Sequence, residues 1–199
     1  MRIIAGAYGG RSIRTVDGPG YRPATAKVRQ AVFSMLEARG VAWEGVRVLD
    51  LFAGSGSLGI EALSRGAALA WFVEKNPRAA DCLRQSLRDL KVPEVCYKVL
   101  QADLLKALAR PPREPFDVVF IDPPYGLDLL PPALLKAVQG GWMAPEAFVL
   151  AEVEARADFA GQIPAQLLPQ ADRLYGQTRI MLWQNKIPDS PSIPEPSIP

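Results

Sequence analysis

The sequence has no histidine, and only two cysteines, Cys82 and Cys96, in 199 residues. Without histidine the commonest general base is gone, together with every Ser/His or Cys/His nucleophilic pair. Any proton transfer has to use carboxylates, lysine, tyrosine or backbone. The cysteines form no CxxC and have no histidine to complete a ligand set, so neither a metal nor a disulfide is expected. Both thiols read as small buried hydrophobes. Long apolar runs are missing as well: nothing approaches the roughly 18 residues that a membrane span requires. Residues 1–14 carry glycine, tyrosine and arginine where a signal peptide would keep an apolar centre. A soluble cytoplasmic protein is the expectation.

What is present matches a folded globular chain, since 49% hydrophobic and 22% charged residues lie far from disordered or collagen-like compositions. At this length one core with appendages is expected in place of two full domains. The net charge of +2 is unevenly spread. Residues 1–47 hold eight basic side chains (Arg2, Arg11, Arg14, Arg22, Lys27, Arg29, Arg39, Arg47) against Asp17, Glu37 and Glu44, leaving +5. The other fifteen basic and eighteen acidic residues leave −3. A basic N-terminal arm on an acidic body suits phosphate binding, with plain solvated charge as the alternative.

Two strand-like runs, residues 2–5 and 11–15, flank Gly6-Ala7-Tyr8-Gly9-Gly10 and predict a β-hairpin. After Asp17-Gly18-Pro19-Gly20, helical spacing of Val28, Val32, Met35 and Leu36 with Thr25 as N-cap predicts a helix over residues 25–39. From residue 46 onward, strands at 46–52, 70–74, 97–101, 117–121 and 148–152 alternate with helices from 57, at 77–90, near 104–110 and near 130–138. Five strands joined in series by helices imply a mostly parallel sheet covered on both faces. Residues 172–175 and 178–183, around Gly176-Gln177, predict an antiparallel C-terminal hairpin. The reading is therefore an α/β, Rossmann-like, seven-stranded fold over residues 41–186. Residues 1–40 form a hairpin-and-helix extension, and residues 187–199 a proline-rich tail expected to be disordered.

The first strand of the series runs into Asp50-Leu51-Phe52-Ala53-Gly54-Ser55-Gly56-Ser57-Leu58-Gly59, whose glycines fit GxGxxG between a strand and a helix. Glu74 follows about 20 residues on, where a carboxylate can accept from a ribose diol. A dinucleotide would place pyrophosphate here, and Asp50 would repel it. That carboxylate suits the cationic methionyl part of S-adenosyl-L-methionine, with Phe52, Ala53, Gly54 and Gly56 around it; capping of the loop backbone is the alternative role. Asp103, closing the third strand, reads as an adenine contact or as a helix N-cap.

Asp122-Pro123-Pro124-Tyr125 ends the fourth strand of the series, at the sheet edge where open α/β proteins bind ligands. The prolines stiffen the segment so that Asp122 and the Pro123 carbonyl form a convergent pair of acceptors, fitted to an NH₂ group. An exocyclic amino group on a base is a poor nucleophile until its protons are drawn off line. Tyr125 would stack on the extruded base. A plain stiffened turn is the alternative.

Arg2-Ile3-Ile4-Ala5-Gly6, Gly10-Arg11, Arg22-Pro23-Ala24-Thr25, Val28-Arg29-Gln30-Ala31-Val32-Phe33, the loop from Asp50 to Gly56 and Asp122-Pro123-Pro124-Tyr125 together resemble the RsmD-type guanine-N2 methyltransferases of small-subunit ribosomal RNA. The resemblance covers residues 1–186. It implies a class I methyltransferase using S-adenosyl-L-methionine, catalytic Asp122, Pro123 and Tyr125, and cofactor contacts that include Asp122. It further implies a guanine substrate in 16S rRNA within an assembled or assembling 30S particle, and a monomer. Arg11, Arg22, Lys27 and Arg29 are the expected RNA contacts. Rival readings are an adenine-N6 nucleic-acid or protein-glutamine methyltransferase, and a non-catalytic RNA-binding assembly factor.

Overall fold

A computed structural model describes residues 1–16 and 25–186. The loop at residues 17–20 and the tail at 187–199 therefore lie outside the described residues, as does Arg22.

The first helix, α1 (Ala26–Glu37), starts where Thr25 Oγ1 accepts from the Val28 N–H at 3.3 Å. There follow β1 (Arg47–Leu51), α2 (Ser57–Arg65), β2 (Leu69–Glu74), α3 (Pro77–Leu90), β3 (Tyr97–Gln101) and the single turn α4 (Leu104–Ala107). The chain continues through β4 (Phe116–Ile121), α5 (Leu130–Gln139), β5 (Met143–Glu154), β6 (Leu167–Tyr175) and β7 (Thr178–Asn185). One seven-stranded sheet results, in the order β3-β2-β1-β4-β5-β7-β6. β1 to β5 are parallel, and β7 runs antiparallel between β5 and β6. The order in which strands are added reverses at β1, which leaves a crevice beyond the carboxyl ends of β1 and β4.

Two strands outrun the sequence expectation for identifiable reasons. β5 begins at Met143, although Pro145 and Glu146 interrupt the apolar pattern, because Met143 pairs with Phe116 across a register shift between Phe116 and Val118. β6 begins at Leu167 and contains Pro169, which the sheet tolerates because β6 is an edge strand. Conversely, α4 stops at Ala107, three residues short. Cys82 and Cys96 are half-buried and unbonded, not buried as expected.

Alternate residues of the central strands feed two apolar layers, following the period-2 geometry of β structure. Val48, Phe120 and Leu150 pack beneath α1, α2 and α3, in one cluster with Ile3, Ile13 and Phe33. Leu49, Val119 and Val149 pack with Leu134 and Trp142 on the other face.

The predicted N-terminal hairpin is reduced to one antiparallel bridge, Arg2 to Ser12. Its connections are the Ile3 N–H to Arg11 O and the Ile13 N–H to Met1 O. It lies on the domain body. The buried Glu61 carboxylate of α2 accepts from the backbone N–H groups of Ile4 (2.7 Å) and Ala5 (3.1 Å). A Cβ on Gly6 would fall 1.7 Å from Ser64 O, so only glycine fits this approach.

Candidate functional site

The carboxyl ends of β1, β2, β3 and β4 border a cavity of about 790 Å³. Its floor is the loop after β1. That loop turns through positive φ at Phe52 (62°), Gly54 (53°) and Gly56 (74°) before α2 begins. Glu74, at the end of β2, pins it: Oε2 accepts from the Gly54 N–H at 2.8 Å, and Oε1 from the Asn76 N–H at 2.7 Å. Glu74 is 7% exposed, and that residual surface faces the cavity.

The wall brings together most of the residues singled out in the sequence. Phe52, Ala53 and Gly54 come from the loop, Glu74 from β2, and Asp103 from the end of β3. Asp122, Pro123 and Tyr125 come from the end of β4. Asp103 carries one of its two anticipated roles in plain view: Oδ1 caps α4 by accepting from the N–H groups of Leu105 (3.1 Å) and Lys106 (3.4 Å).

Asp50 and Gly56 are placed differently from the expectation. Asp50 does not line the cavity; it is 2% exposed beneath the loop, where Oδ2 accepts from the Gly59 N–H at 3.0 Å. Burial pushes its pKa up to about 8; the Gly59 bond opposes that rise, and Glu74 adds to it. A carboxyl so enclosed braces the loop and α2, the backbone role weighed as its alternative. Gly56 is likewise turned inward, where a Cβ would meet Leu83 Cδ1 at 2.3 Å.

Asp122 is half-buried, and its pKa is raised well above the ordinary carboxylate value. Desolvation is the largest cause, followed by the charges of Glu152 and Asp50. Pro123 is buried beside it. The Tyr125 hydroxyl lies 3.2 Å from Thr178 Oγ1, so the first residue of β7 ties down the ring.

The expected RNA contacts fare unevenly. Arg29 is corrected: it is 2% exposed, its guanidinium donating to Met1 Sδ and Arg2 O, because position 29 falls on the buried face of α1 beside Val32 and Phe33. Arg11 is exposed but turned onto α3, donating to the carbonyls of Asp89 and Leu90 at that helix's C-terminus. Lys27 is exposed in the first turn of α1.

Sequence reasoning missed Glu152, Thr178 and the pair Thr15 and Val16, whose segment reaches the cavity wall. Glu152 had one visible signal, a charge at the end of an apolar strand. The others depend on chain paths that local pattern does not encode.

A family model described as conserved hypothetical protein 95 matches residues 1–184. The ribosomal RNA small subunit methyltransferase D of Escherichia coli (strain K12) is 34% identical over 186 residues, 94% of this chain and 90% of that protein. The protein of the same description from Haemophilus influenzae is 37% identical over 155 residues, 77% of this chain and 79% of that one. The chain belongs to this family. Among solved structures, the Escherichia coli protein yhhF superposes with a TM-score of 0.82 at 31% identity, covering 94% of this chain and 99% of that one. The family's sheet is that of class I S-adenosylmethionine-dependent methyltransferases, with the parallel strands and antiparallel end described above.

Proposed function

We propose that the protein transfers the methyl group of S-adenosyl-L-methionine to the exocyclic N2 amino group of a guanine in small-subunit ribosomal RNA. The observation that carries this reading is the meeting of Asp122-Pro123-Pro124-Tyr125 and the Glu74-braced loop in one cavity. The names of the relatives, which act on small-subunit ribosomal RNA, support the substrate class.

The cavity fits the cofactor chemically. It has volume for a nucleoside joined to an amino acid, a buried carboxylate for vicinal hydroxyls, a second carboxylate at Asp103 for an amino group, and apolar walls from Phe52 and Leu104. Bound there, the cofactor supplies an electrophilic methyl group. Glu74 would hold the ribose, Asp103 the adenine, and the loop at Phe52, Ala53 and Gly54 the methionyl end.

The chain's own part is mostly positioning. Asp122 and the Pro123 carbonyl accept hydrogen bonds from the two amino protons, drawing the nitrogen lone pair out of the ring plane toward the methyl carbon. The Tyr125 ring stacks on the base, a contact worth roughly 1–3 kcal/mol, and Thr178 keeps the ring in place. Lys27 is an exposed candidate for a phosphate contact. An assembled or assembling subunit is the proposed presentation, with the protein acting as a monomer.

The test is transfer of labelled methyl to small ribosomal subunits lacking this modification, followed by nucleoside analysis. N2-methylguanosine is expected. Label in N6-methyladenosine or in protein would overturn the guanine assignment. No label in any acceptor would overturn the reaction.

A further inference from the structure

Glu152 is the acid that the reaction above leaves unused. It interrupts an apolar strand, is 3% exposed, and among the described residues no N–H and no serine, threonine or tyrosine hydroxyl donates to its carboxylate. Burying such a group is costly, and a neutral side chain would fill the space equally well. Its surroundings give it a purpose. β4 and β5 are parallel and in register through Ile121 and Ala151, so the next pair in line is Asp122 and Glu152. Both lie two residues beyond Phe120 and Leu150, hence on the sheet face that packs against α1. Strand spacing there is roughly 4.8 Å. Glu152 is therefore beside Asp122 on the neighbouring strand and is not among the residues lining the cavity, with Arg29 of α1 as the cation on its side.

We propose that Glu152 is a positioning residue of the methyl transfer that acts through Asp122, receiving by relay the proton that the methylated amino nitrogen sheds. This rests on the reaction proposed above. The charged groups about the pair set its direction. Asp50 on β1 faces Asp122 and opposes its ionisation, whereas Arg29 faces Glu152 and favours its ionised form. Glu61 of α2 shares the field of Arg29, and Arg179 of β7 is held away by Asp172 and the Ala157 carbonyl. In the resting pair the proton resides on Asp122 and the charge on Glu152.

When the nitrogen bonds to the methyl carbon it becomes cationic with one hydrogen to lose. That N–H bond breaks, its proton joins the free oxygen of Asp122, and the proton already on Asp122 passes to Glu152. A cationic nitrogen and an anionic carboxylate become a neutral amine and a neutral acid. The reverse relay returns the proton to solvent once product has left.

Turnover then requires ionised Glu152. Burial pushes that group up to about 7, against the pull of Arg29, and no histidine obscures the range. The experiment is single-turnover methyl transfer to small subunits across the pH range around neutrality, for wild type, Glu152→Gln and Glu152→Asp, with cofactor affinity and Tm measured in parallel. The wild-type rate is expected to rise through neutrality. Gln should lower it by roughly tenfold or more and flatten the profile, leaving cofactor affinity unchanged, and Asp should restore both rate and slope in part. A wild-type rate and profile in the Gln variant would overturn the role of Glu152 alone. Equal loss in the Gln and Asp variants, tracking Tm, would reduce Glu152 to a structural residue. Absence of methyl transfer by wild type on any acceptor would overturn the reaction, and this inference with it.

Discussion

Gly59 stands where α2 packs tightly on the sheet: a Cβ there would lie 2.3 Å from Phe72 Cε1 and 3.1 Å from Asp50 Oδ2. Phe72 is fully buried and has nowhere to go. Gly59→Ala is expected to cost about 1–3 kcal/mol of stability through overpacking, seen as a lower denaturant midpoint at unchanged slope. A midpoint equal to wild type would mean that the helix can lift off the ring without penalty. At Tyr125 two contacts separate cleanly. Tyr125→Phe keeps the ring and loses the hydroxyl contact to Thr178, so turnover should fall modestly. Tyr125→Ala should raise the KM for RNA by about tenfold or more, from the loss of stacking. Equal kinetics for Phe and Ala would argue against stacking on a base.

At the scale of elements, the N-terminal segment looks detachable in the sequence but is tied into the body. Its Ile3 and Ile13 are each 4% exposed, and its backbone supplies two N–H donors to the buried Glu61. Arg14 N–H also donates to Ser86 Oγ on α3. Deleting residues 1–14 would uncover an apolar face and strip a buried carboxylate of its donors, a loss of several kcal/mol. The truncated chain should therefore melt far lower by circular dichroism. An unshifted melt would show that the segment is a mere appendage. Helix α3 was legible to the residue, because Asn76 caps it, Pro77 opens it and its apolar residues keep helical period. The start of β5 and most of β6 were not, because Pro145, Glu146 and Pro169 break the alternation that marks a strand. Register with β4 and β7 overrides that local signal.

For the molecule as a whole, the buried carboxyls fix how stability depends on pH. Asp50 is pushed up to about 8 and Glu152 to about 7, and Asp122 is raised too, all by burial first. The folded chain thus keeps protons that the unfolded chain releases near roughly pH 4. Stability should fall as pH climbs from that range through about 8, the reverse of what depressed carboxyls give. Asp89 and Asp172, lowered by bonds from Gln85 and Arg179 respectively, act in the opposite sense, but at exposed positions where little is gained. Chemical denaturation on either side of neutrality checks this, and Asp50→Asn should flatten the slope. A stability that rises across that range would contradict the burial of these acids in their raised state.

By itself the sequence determined the order of elements, the crevice side of the sheet and which segments meet in the cavity. Apolar period, the glycine loop, and Asp122-Pro123-Pro124-Tyr125 at a strand end are local features whose physical consequences need no distant partner. Tertiary structure alone decided which charges face solvent. Arg29 and Asp50 read as ligand contacts from their neighbours in sequence, yet both are buried. Arg29 has its countercharges on Glu61 of α2 and, over a hundred residues away, on Glu152 of β5, and Asp50 bonds to a helix that folds back over it. Pairing across such separations sets the free energy of a buried charge, and no local pattern contains it.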